Sequence, residues 1–246
     1  GEATLVDAWI GRVLDAVGSL GLYEDTAIIF TSDHGFYLGE HGLIGKSIIM
    51  GDFYGSVPLY EEVARIPLFV RLPDALSGGR RSAIGELAQP VDTTATRLDL
   101  AGLECGKYGV QGRSLIPCIM GTGKGGPLRD FAVSSPPIIH RQSAGTRATI
   151  TTRRWGLILA PAGPSSDAER VEFTMMVDGV RRVMRPYGKV DSELYDLGID
   201  PKQGSDVLRE NVGMAKGLHD GFIRLLRGMG TREDLVEPWL KCRGLE

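Results

Sequence analysis

The sequence lacks the features that would assign it to several specialised classes of protein. It has three cysteines in 246 residues, and Cys105, Cys118 and Cys242 stand too far apart for a zinc motif or a disulfide framework. No apolar run reaches the roughly 18 residues that a membrane-spanning helix needs. The net charge is −3 at pH 7 and no dense basic run occurs, which argues against general nucleic-acid binding. We therefore expect no membrane segment and no nucleic-acid partner.

The first residue is Gly1 rather than an initiator methionine. The lack of a signal peptide therefore says nothing about the compartment, and localisation and oligomeric state stay open. A hydrophobic content of 42% with 24% charged residues is nevertheless typical of a globular protein. The length suffices for one large domain or two small ones.

The chemically interesting side chains cluster directly after the apolar run Ala27–Phe30. That run shows no polar alternation, which predicts a strand buried on both faces of a parallel sheet. Ligand sites of α/β folds lie at the carboxyl ends of such strands. Asp33 and His34 carry metal-ligating groups, and Lys46 offers a compact cation for an anion. An isolated Asp-His pair is more often a surface turn, but the strand and the lysine together favour a binding loop.

The loop resembles a metal-binding motif of the sulfatases, which belong to the alkaline phosphatase-like superfamily of sulfate- and phosphate-ester hydrolases. It reads Ser-Asp-His-Gly, then Leu-Gly-Glu-His-Gly, then a lysine twelve positions after the first histidine. The resemblance runs from Leu5 to about Asn211. Further segments that carry it include Leu59–Pro67, Gln89–Asp92, Gln111–Leu115 and the Glu-Leu-Tyr-Asp-Leu run at 193–197.

The resemblance implies an α/β fold, in which part of a largely parallel sheet with flanking helices precedes a small antiparallel sheet and a last helix. Four glycines within residues 121–127 favour a flexible connection. We therefore divide the chain into residues 1–125, which carry the metal-binding loop, and residues 126–246, a smaller α+β subdomain. In the second part, Asp178-Gly179 between apolar runs predicts a β-hairpin.

Helical periodicity predicts three helices whose ends and faces can be checked. The first covers Thr4–Leu20, with Thr4 as its N-cap and an apolar stripe in the core. The second covers Thr93–Ala101, with Asp92 as its cap. A closing helix covers Val207–Leu226.

The resemblance also implies roles for the residues of the loop. Asp33 and His34 would bind one divalent cation, and Lys46 would bind a sulfate oxygen or assist the leaving group. His41 would line the pocket or transfer a proton, although a hydrogen-bonding role within the loop is an equal alternative. Calcium is the usual metal of the family, but a histidine ligand keeps magnesium, manganese and zinc open. The implied substrate is a sulfated small molecule or glycan.

The same resemblance implies that the sequence is a fragment of an enzyme. The N-terminal part of a sulfatase carries an Asp-Asp metal pair and a Cys-x-Pro-x-Arg segment whose cysteine becomes formylglycine, and none of the three cysteines here has that context. We therefore expect these residues alone to be inactive. Two alternatives remain: a phosphate or phosphonate mono- or diester hydrolase of the superfamily, and a non-catalytic domain that binds a metal or an anion. Family members occur in secreted, periplasmic, lysosomal and cytoplasmic forms, so the family does not indicate a compartment.

Overall fold

A computed structural model describes most of the chain. It covers residues 1–45, 53–54, 58–77, 83–122, 127–135, 147–162, 173–177, 179–186 and 191–245. The chain forms two compact units, the first made of Gly1–Ser32, Pro67–Glu86 and Pro90–Gly126, and the second of Asp33–Ile66, Leu87–Gln89 and Pro127–Glu246. The division at residues 125 and 126 remains a prediction.

The helices and strands of the described residues have the following bounds. The helices are α1 (Glu2–Ser19), α2 (Glu61–Ala64), α3 (Asp74–Ser77), α4 (Pro90–Leu100), α5 (Ile116–Met120), α6 (Val212–Gly228) and α7 (Glu233–Val236). The strands are β1 (Ile28–Thr31), β2 (Tyr37–Leu38), β3 (Ile44–Gly45), β4 (Phe53–Tyr54), β5 (Leu68–Arg71), β6 (Ala132–Ser134), β7 (Ala148–Thr151), β8 (Trp155–Leu159), β9 (Phe173–Val177), β10 (Val180–Pro186) and β11 (Glu193–Asp196). Short 3₁₀ turns occupy Glu40–Gly42, Cys105–Tyr108 and Glu237–Trp239. None of the described helices combines the length and apolar content that crossing a bilayer requires.

In the first unit, β1 confirms the strand predicted after Thr26, but its surroundings differ from the prediction. It pairs antiparallel with β5, so that Ile28 lies opposite Arg71. Phe30 is 39% exposed, so the strand is not buried on both faces within the described part of the chain. The expectation of parallel, doubly buried surroundings was therefore wrong for this strand. The apolar run indicated a strand but carried no information about the direction of its partner.

Helix α1 is confirmed as a helix, but two details of its prediction were wrong. It begins at Glu2 after Gly1, and no side chain caps it, so Thr4 lies inside the helix. Its apolar stripe is not core among the described residues, because the helix buries no side chain and Trp9 is 56% exposed.

Helix α4 begins earlier than predicted, and this changes the role of Asp92. Because the helix starts at Pro90, Asp92 lies in its first turn rather than at the N-cap. Its fully buried carboxylate accepts the Arg113 backbone N–H at 2.9 Å. The Thr96 hydroxyl accepts the Leu115 N–H at the same distance. Asp92 is therefore structural, but it fastens a neighbouring segment rather than a helix end.

The second unit contains the predicted antiparallel strands. Strands β11, β8, β7 and β6 form one sheet in that order, and β9 and β10 form the predicted hairpin; Asp178 itself lies outside the described residues. The closing helix is α6, which begins at Val212 rather than at Val207. Its buried Phe222 packs at right angles to Trp239, with the ring centroids 5.3 Å apart. Their cluster also contains buried side chains of the sheet, including Ile150, Leu157 and Leu194.

Candidate active site

Asp33 and His34 follow β1 along the chain. One potential metal-ligating atom of each side chain, Asp33 Oδ2 and His34 Nε2, lies close to the other. His34 Nδ1 lies 2.8 Å from the Gly35 carbonyl oxygen. Because a carbonyl only accepts, we infer that Nδ1 carries the hydrogen and that the Nε2 atom of the neutral ring keeps its lone pair. That Nε2 atom lies 3.3 Å from Asp33 Oδ2. A ligating histidine commonly donates its other ring N–H to a carbonyl in this way.

The spacing of these two atoms suits adjacent ligands of one cation. Two ligands at about 2.3 Å from an ion and at right angles to each other lie about 3.3 Å apart. The Asp33 side chain is 81% exposed and the His34 side chain 31% exposed, so an ion can reach both. Within the described residues, no group of three or more His, Cys, Asp or Glu side chains could hold a metal. The donor set therefore fits a divalent cation as two of its ligands.

Gly35 allows this segment to lie directly against helix α2. Its N–H donates to the Val63 carbonyl at 2.9 Å, and the Phe36 N–H donates to the Glu62 carbonyl at 3.1 Å. A Cβ atom on Gly35 would stand 1.8 Å from the Glu62 carbonyl oxygen. Only glycine permits so close an approach. The two backbone contacts thus fix the direction in which the segment leaves Asp33 and His34.

The rest of the loop is a small hairpin that ends one residue before Lys46. Strands β2 and β3 pair antiparallel, with Tyr37 opposite Gly45. The Glu40 carboxylate accepts the Leu38 N–H, and this bond holds the pKa of Glu40 below its usual value. The loop therefore contains regular pairing on both sides of a 3₁₀ turn. Lys46 itself lies outside the described residues.

His41 faces inward rather than into open space. Its side chain is only 9% exposed, and its ring stacks on Tyr60 with the centroids 3.7 Å apart and the planes 12° from parallel. His41 Nε2 lies 3.3 Å from Glu62 Oε2. That distance is one of an ion pair, although neither atom makes a directed hydrogen bond with any residue that the structure describes.

Tyr60 is in turn held by the Glu-Leu-Tyr-Asp motif on β11. Its hydroxyl donates to Glu193 Oε2 at 2.7 Å, the Tyr195 hydroxyl donates to the same oxygen, and Arg147 Nη1 donates to Oε1 at 3.1 Å. Burial and the adjacent carboxylate raise the pKa of Tyr60 well above its usual value. Both tyrosines therefore stay protonated donors, and the buried Glu193 is satisfied on both oxygens.

The structure thus brings Asp33 and His34 together and places His41 against α2. Of the other two histidines, His140 lies outside the described residues, and His219 forms a hydrogen bond through Nε2 with the Trp239 carbonyl, which is a packing contact. Sequence reasoning missed Tyr60, Glu62 and Glu193, which hold the loop. The available signal was the acidic pair Glu61-Glu62, which lies in the sulfatase-like segment Leu59–Pro67, but nothing in the pattern showed which acid faced inward.

Comparisons of sequence support the expected family. Residues 2–103 match the family model described as Sulfatase. An N-acetylglucosamine-6-O-sulfatase of Bacteroides thetaiotaomicron is 39% identical over 119 residues, which are 48% of this chain and 19% of that protein. A choline-sulfatase of Rhizobium meliloti is 29% identical over 183 residues, which are 72% of this chain and 32% of the relative.

Solved structures give the same result for the fold. A protein in complex with its substrate D-glucosamine-2-N,6-O-disulfate superposes with a TM-score of 0.65 and 26% identity, over 93% of this chain and 39% of the other. The phosphonate monoester hydrolase of Agrobacterium radiobacter superposes with a TM-score of 0.61 and 22% identity, over 91% of this chain and 39% of the other. At that identity the similarity shows the fold alone. The chain thus spans between 19% and 39% of the length of these proteins. The α/β fold of the alkaline phosphatase-like superfamily and the resemblance to the sulfatase family are both confirmed.

Proposed function

We propose that this chain carries part of the active site of a metal-dependent sulfuric ester hydrolase. The observation that carries the proposal is the orientation of His34, whose Nδ1 faces a carbonyl while Nε2 lies 3.3 Å from the Asp33 carboxylate. This arrangement presents one nitrogen and one oxygen ligand to the same cation. The sulfatases among the relatives support sulfate as the group transferred.

Each loop residue has its own task in this proposal. Asp33 and His34 hold the cation, which when bound supplies positive charge that stabilises the sulfate oxygens. Lys46 binds a sulfate oxygen or assists the leaving group as a point charge. Gly35 fixes the backbone between the ligands and α2. The formylglycine of the family has no candidate among Cys105, Cys118 and Cys242, because none lies in a Cys-x-Pro-x-Arg context.

His41 acts within the loop rather than in proton transfer, in our proposal. Sequence reasoning left both roles open. A general acid or base must come within hydrogen-bond reach of the substrate. The ring of His41 is stacked on Tyr60, almost wholly buried, and turned with Nε2 toward Glu62. These contacts favour a residue that holds the loop in shape.

We propose calcium as the metal and a sulfated sugar as the substrate. Carboxylate oxygens suit calcium, and the exposed Asp33 can supply one or both of its oxygens. Magnesium, manganese and zinc remain the competitors, and of these zinc is the metal that an imidazole ligand suits best. The sugar sulfate is favoured because two of the relatives act on or bind one: an N-acetylglucosamine-6-O-sulfatase and the protein bound to a disulfated glucosamine.

The test removes one ligand and measures metal and activity together. In the complete gene product, Asp33→Ala should lose stoichiometric metal by elemental analysis and lose turnover of a chromogenic aryl sulfate. Asp220→Ala is the matched control, because Asp220 is an exposed acid on α6. It should keep both. If Asp33→Ala retains bound metal and near-normal turnover, the assignment of the ligand is wrong.

A second candidate is a phosphonate or phosphate ester hydrolase of the same superfamily. The observation behind it is the similar fold of the phosphonate monoester hydrolase, at a TM-score of 0.61. Aryl sulfate, aryl phosphate and phenylphosphonate esters with the same leaving group should be compared on one preparation. A kcat/KM higher for phosphonate than for sulfate would favour this candidate. Metal binding without turnover of any of them would favour the non-catalytic domain.

A further inference from the structure

We infer that Glu62 is a positioning residue that aligns the metal-ligand segment with the hairpin leading to Lys46. The inference rests on the proposed function, since it assigns Glu62 a role in the same site. Glu62 touches both parts of the loop, one with its backbone and the other with its side chain. Its neighbour Glu61 shares the helix but has no such contacts with the loop among the described residues.

The backbone of Glu62 holds the segment that follows the metal ligands. Its carbonyl oxygen accepts the Phe36 N–H at 3.1 Å, and the next carbonyl, that of Val63, accepts the Gly35 N–H at 2.9 Å. These are consecutive donors bonded to consecutive acceptors, so the segment can neither slide along α2 nor rotate away from it. The positions of Asp33 and His34 relative to α2 follow from this pairing.

The side chain of Glu62 holds the hairpin through His41. Glu62 Oε2 and His41 Nε2 are 3.3 Å apart, and both side chains are largely buried, at 21% and 9% exposure. His41 has a φ of 54° and a ψ of 18°, which is left-handed backbone that a non-glycine residue seldom adopts. Such a conformation persists only where the surroundings hold it. The stack on Tyr60 and the pairing with Glu62 are the contacts that do so.

Helix α2 is itself firmly attached, so that it can serve as a reference for the loop. The Glu61 N–H donates to Gln203 Oε1 at 2.7 Å. The Thr149 hydroxyl donates to the Leu59 carbonyl at 2.8 Å, and the Tyr60 hydroxyl bonds the buried Glu193. The start of the helix is therefore held at three points, two of them in the sheet of the second unit and the third at Gln203, in the loop that follows β11. Because Glu62 lies in this fixed helix, its contacts with Phe36 and His41 hold both halves of the loop in place.

The first test compares three variants of the complete gene product. Glu62→Ala should lower kcat on an aryl sulfate about tenfold, which corresponds to about 1.4 kcal/mol, while metal affinity stays within about twofold because the backbone contacts remain. Glu62→Gln should recover part of the loss, since glutamine keeps the shape of the side chain and a polar oxygen near His41 but not the charge. Glu61→Gln is the matched control and should leave kcat unchanged. Equal kinetics for Glu62→Ala and Glu61→Gln would overturn the inference.

A double-mutant cycle separates positioning from a general loss of stability. If Glu62 acts through Lys46, Glu62→Ala should cost little further activity once Lys46→Ala is present. A full additional tenfold loss in that background would overturn the inference.

Hydrogen exchange supplies a readout that needs no activity. Glu62→Ala should speed exchange of the amides between Leu38 and Gly45, whereas Glu61→Gln should not. Unchanged protection of this hairpin in Glu62→Ala would also overturn the inference. If the wild type hydrolyses no sulfate ester, the proposed function fails, and exchange still decides whether Glu62 holds the hairpin.

Discussion

Replacing Gly35 by alanine tests the close approach on which the site geometry depends. The added Cβ would lie 1.8 Å from the Glu62 carbonyl oxygen, 2.8 Å from its carbon and 3.0 Å from the Val63 Cα. All three neighbours are backbone atoms, so no flexible side chain can move aside. Ordinary contacts between an aliphatic carbon and a carbonyl oxygen are about 3.3 Å or longer. The segment must therefore move away from α2 by about 1.5 Å.

A shift of that size breaks two hydrogen bonds. The bonds from Gly35 to Val63 and from Phe36 to Glu62, now 2.9 and 3.1 Å long, would exceed 4 Å by the estimate above. A typical hydrogen bond contributes about 1 kcal/mol, and each partner left unsatisfied costs about 1–3 kcal/mol when buried. We expect the free energy of unfolding to fall by about 2–4 kcal/mol. Metal affinity should fall as well, because Asp33 and His34 move with the segment.

The assay is urea unfolding followed by far-UV circular dichroism, together with a calcium titration of the folded protein. Gly217→Ala is the control, because Gly217 lies in α6 with nothing within 4 Å of its added Cβ. That exchange should stabilise the protein by about 0.5–1 kcal/mol, the usual advantage of alanine over glycine in a helix. The opposite signs separate steric conflict from a general effect of added methyl groups. If Gly35→Ala is as stable as the wild type and binds calcium equally well, the contact with α2 does not shape the site.

Two further predictions concern the second unit. Burial raises the pKa of the Cys242 thiol to about 12, so its thiolate is scarce at pH 8; iodoacetamide should label the half-exposed Cys105 and Cys118 first, and Cys242 only after unfolding. Equal labelling rates by mass spectrometry would contradict this. Glu193→Ala would leave the buried Arg147 without its carboxylate and should destabilise the protein by about 3–5 kcal/mol. A loss below about 1 kcal/mol on urea unfolding would show that the network is dispensable.

Local patterns predicted most elements of the fold but not their neighbours. The apolar run at Ala27–Phe30 and the turn at Asp178-Gly179 indicated a strand and a hairpin, because pairing and turn preferences are short-range properties. The antiparallel pairing of β1 with β5 joins segments 40 residues apart, and no local pattern encodes it. Asp92 shows the same limit, since its acceptor role toward Arg113 spans 21 residues.

The candidate site divides in a similar way. Asp33 and His34 are adjacent in sequence and follow a strand, so their types and their position were enough to propose them as metal ligands, and that role stays a prediction. The contacts that hold the loop around these two residues could not be predicted. Tyr60 contacts Glu193 across 133 residues, and the inward orientation of His41 depends on its left-handed backbone and on contacts with Tyr60 and Glu62.

The hairpin between Tyr37 and Lys46 shows why the contacts of His41 matter. Four of its residues have positive φ, namely Gly39, His41, Gly42 and Gly45. Glycine adopts such angles without a steric penalty, whereas histidine meets one of roughly 1–2 kcal/mol. The turn could therefore form at lower cost with a fourth glycine, but a glycine would remove the ring that stacks on Tyr60 and pairs with Glu62. The strained backbone of His41 is thus tolerated because its ring attaches the hairpin to α2. The hairpin pairing carries this attachment to Gly45, the residue before Lys46.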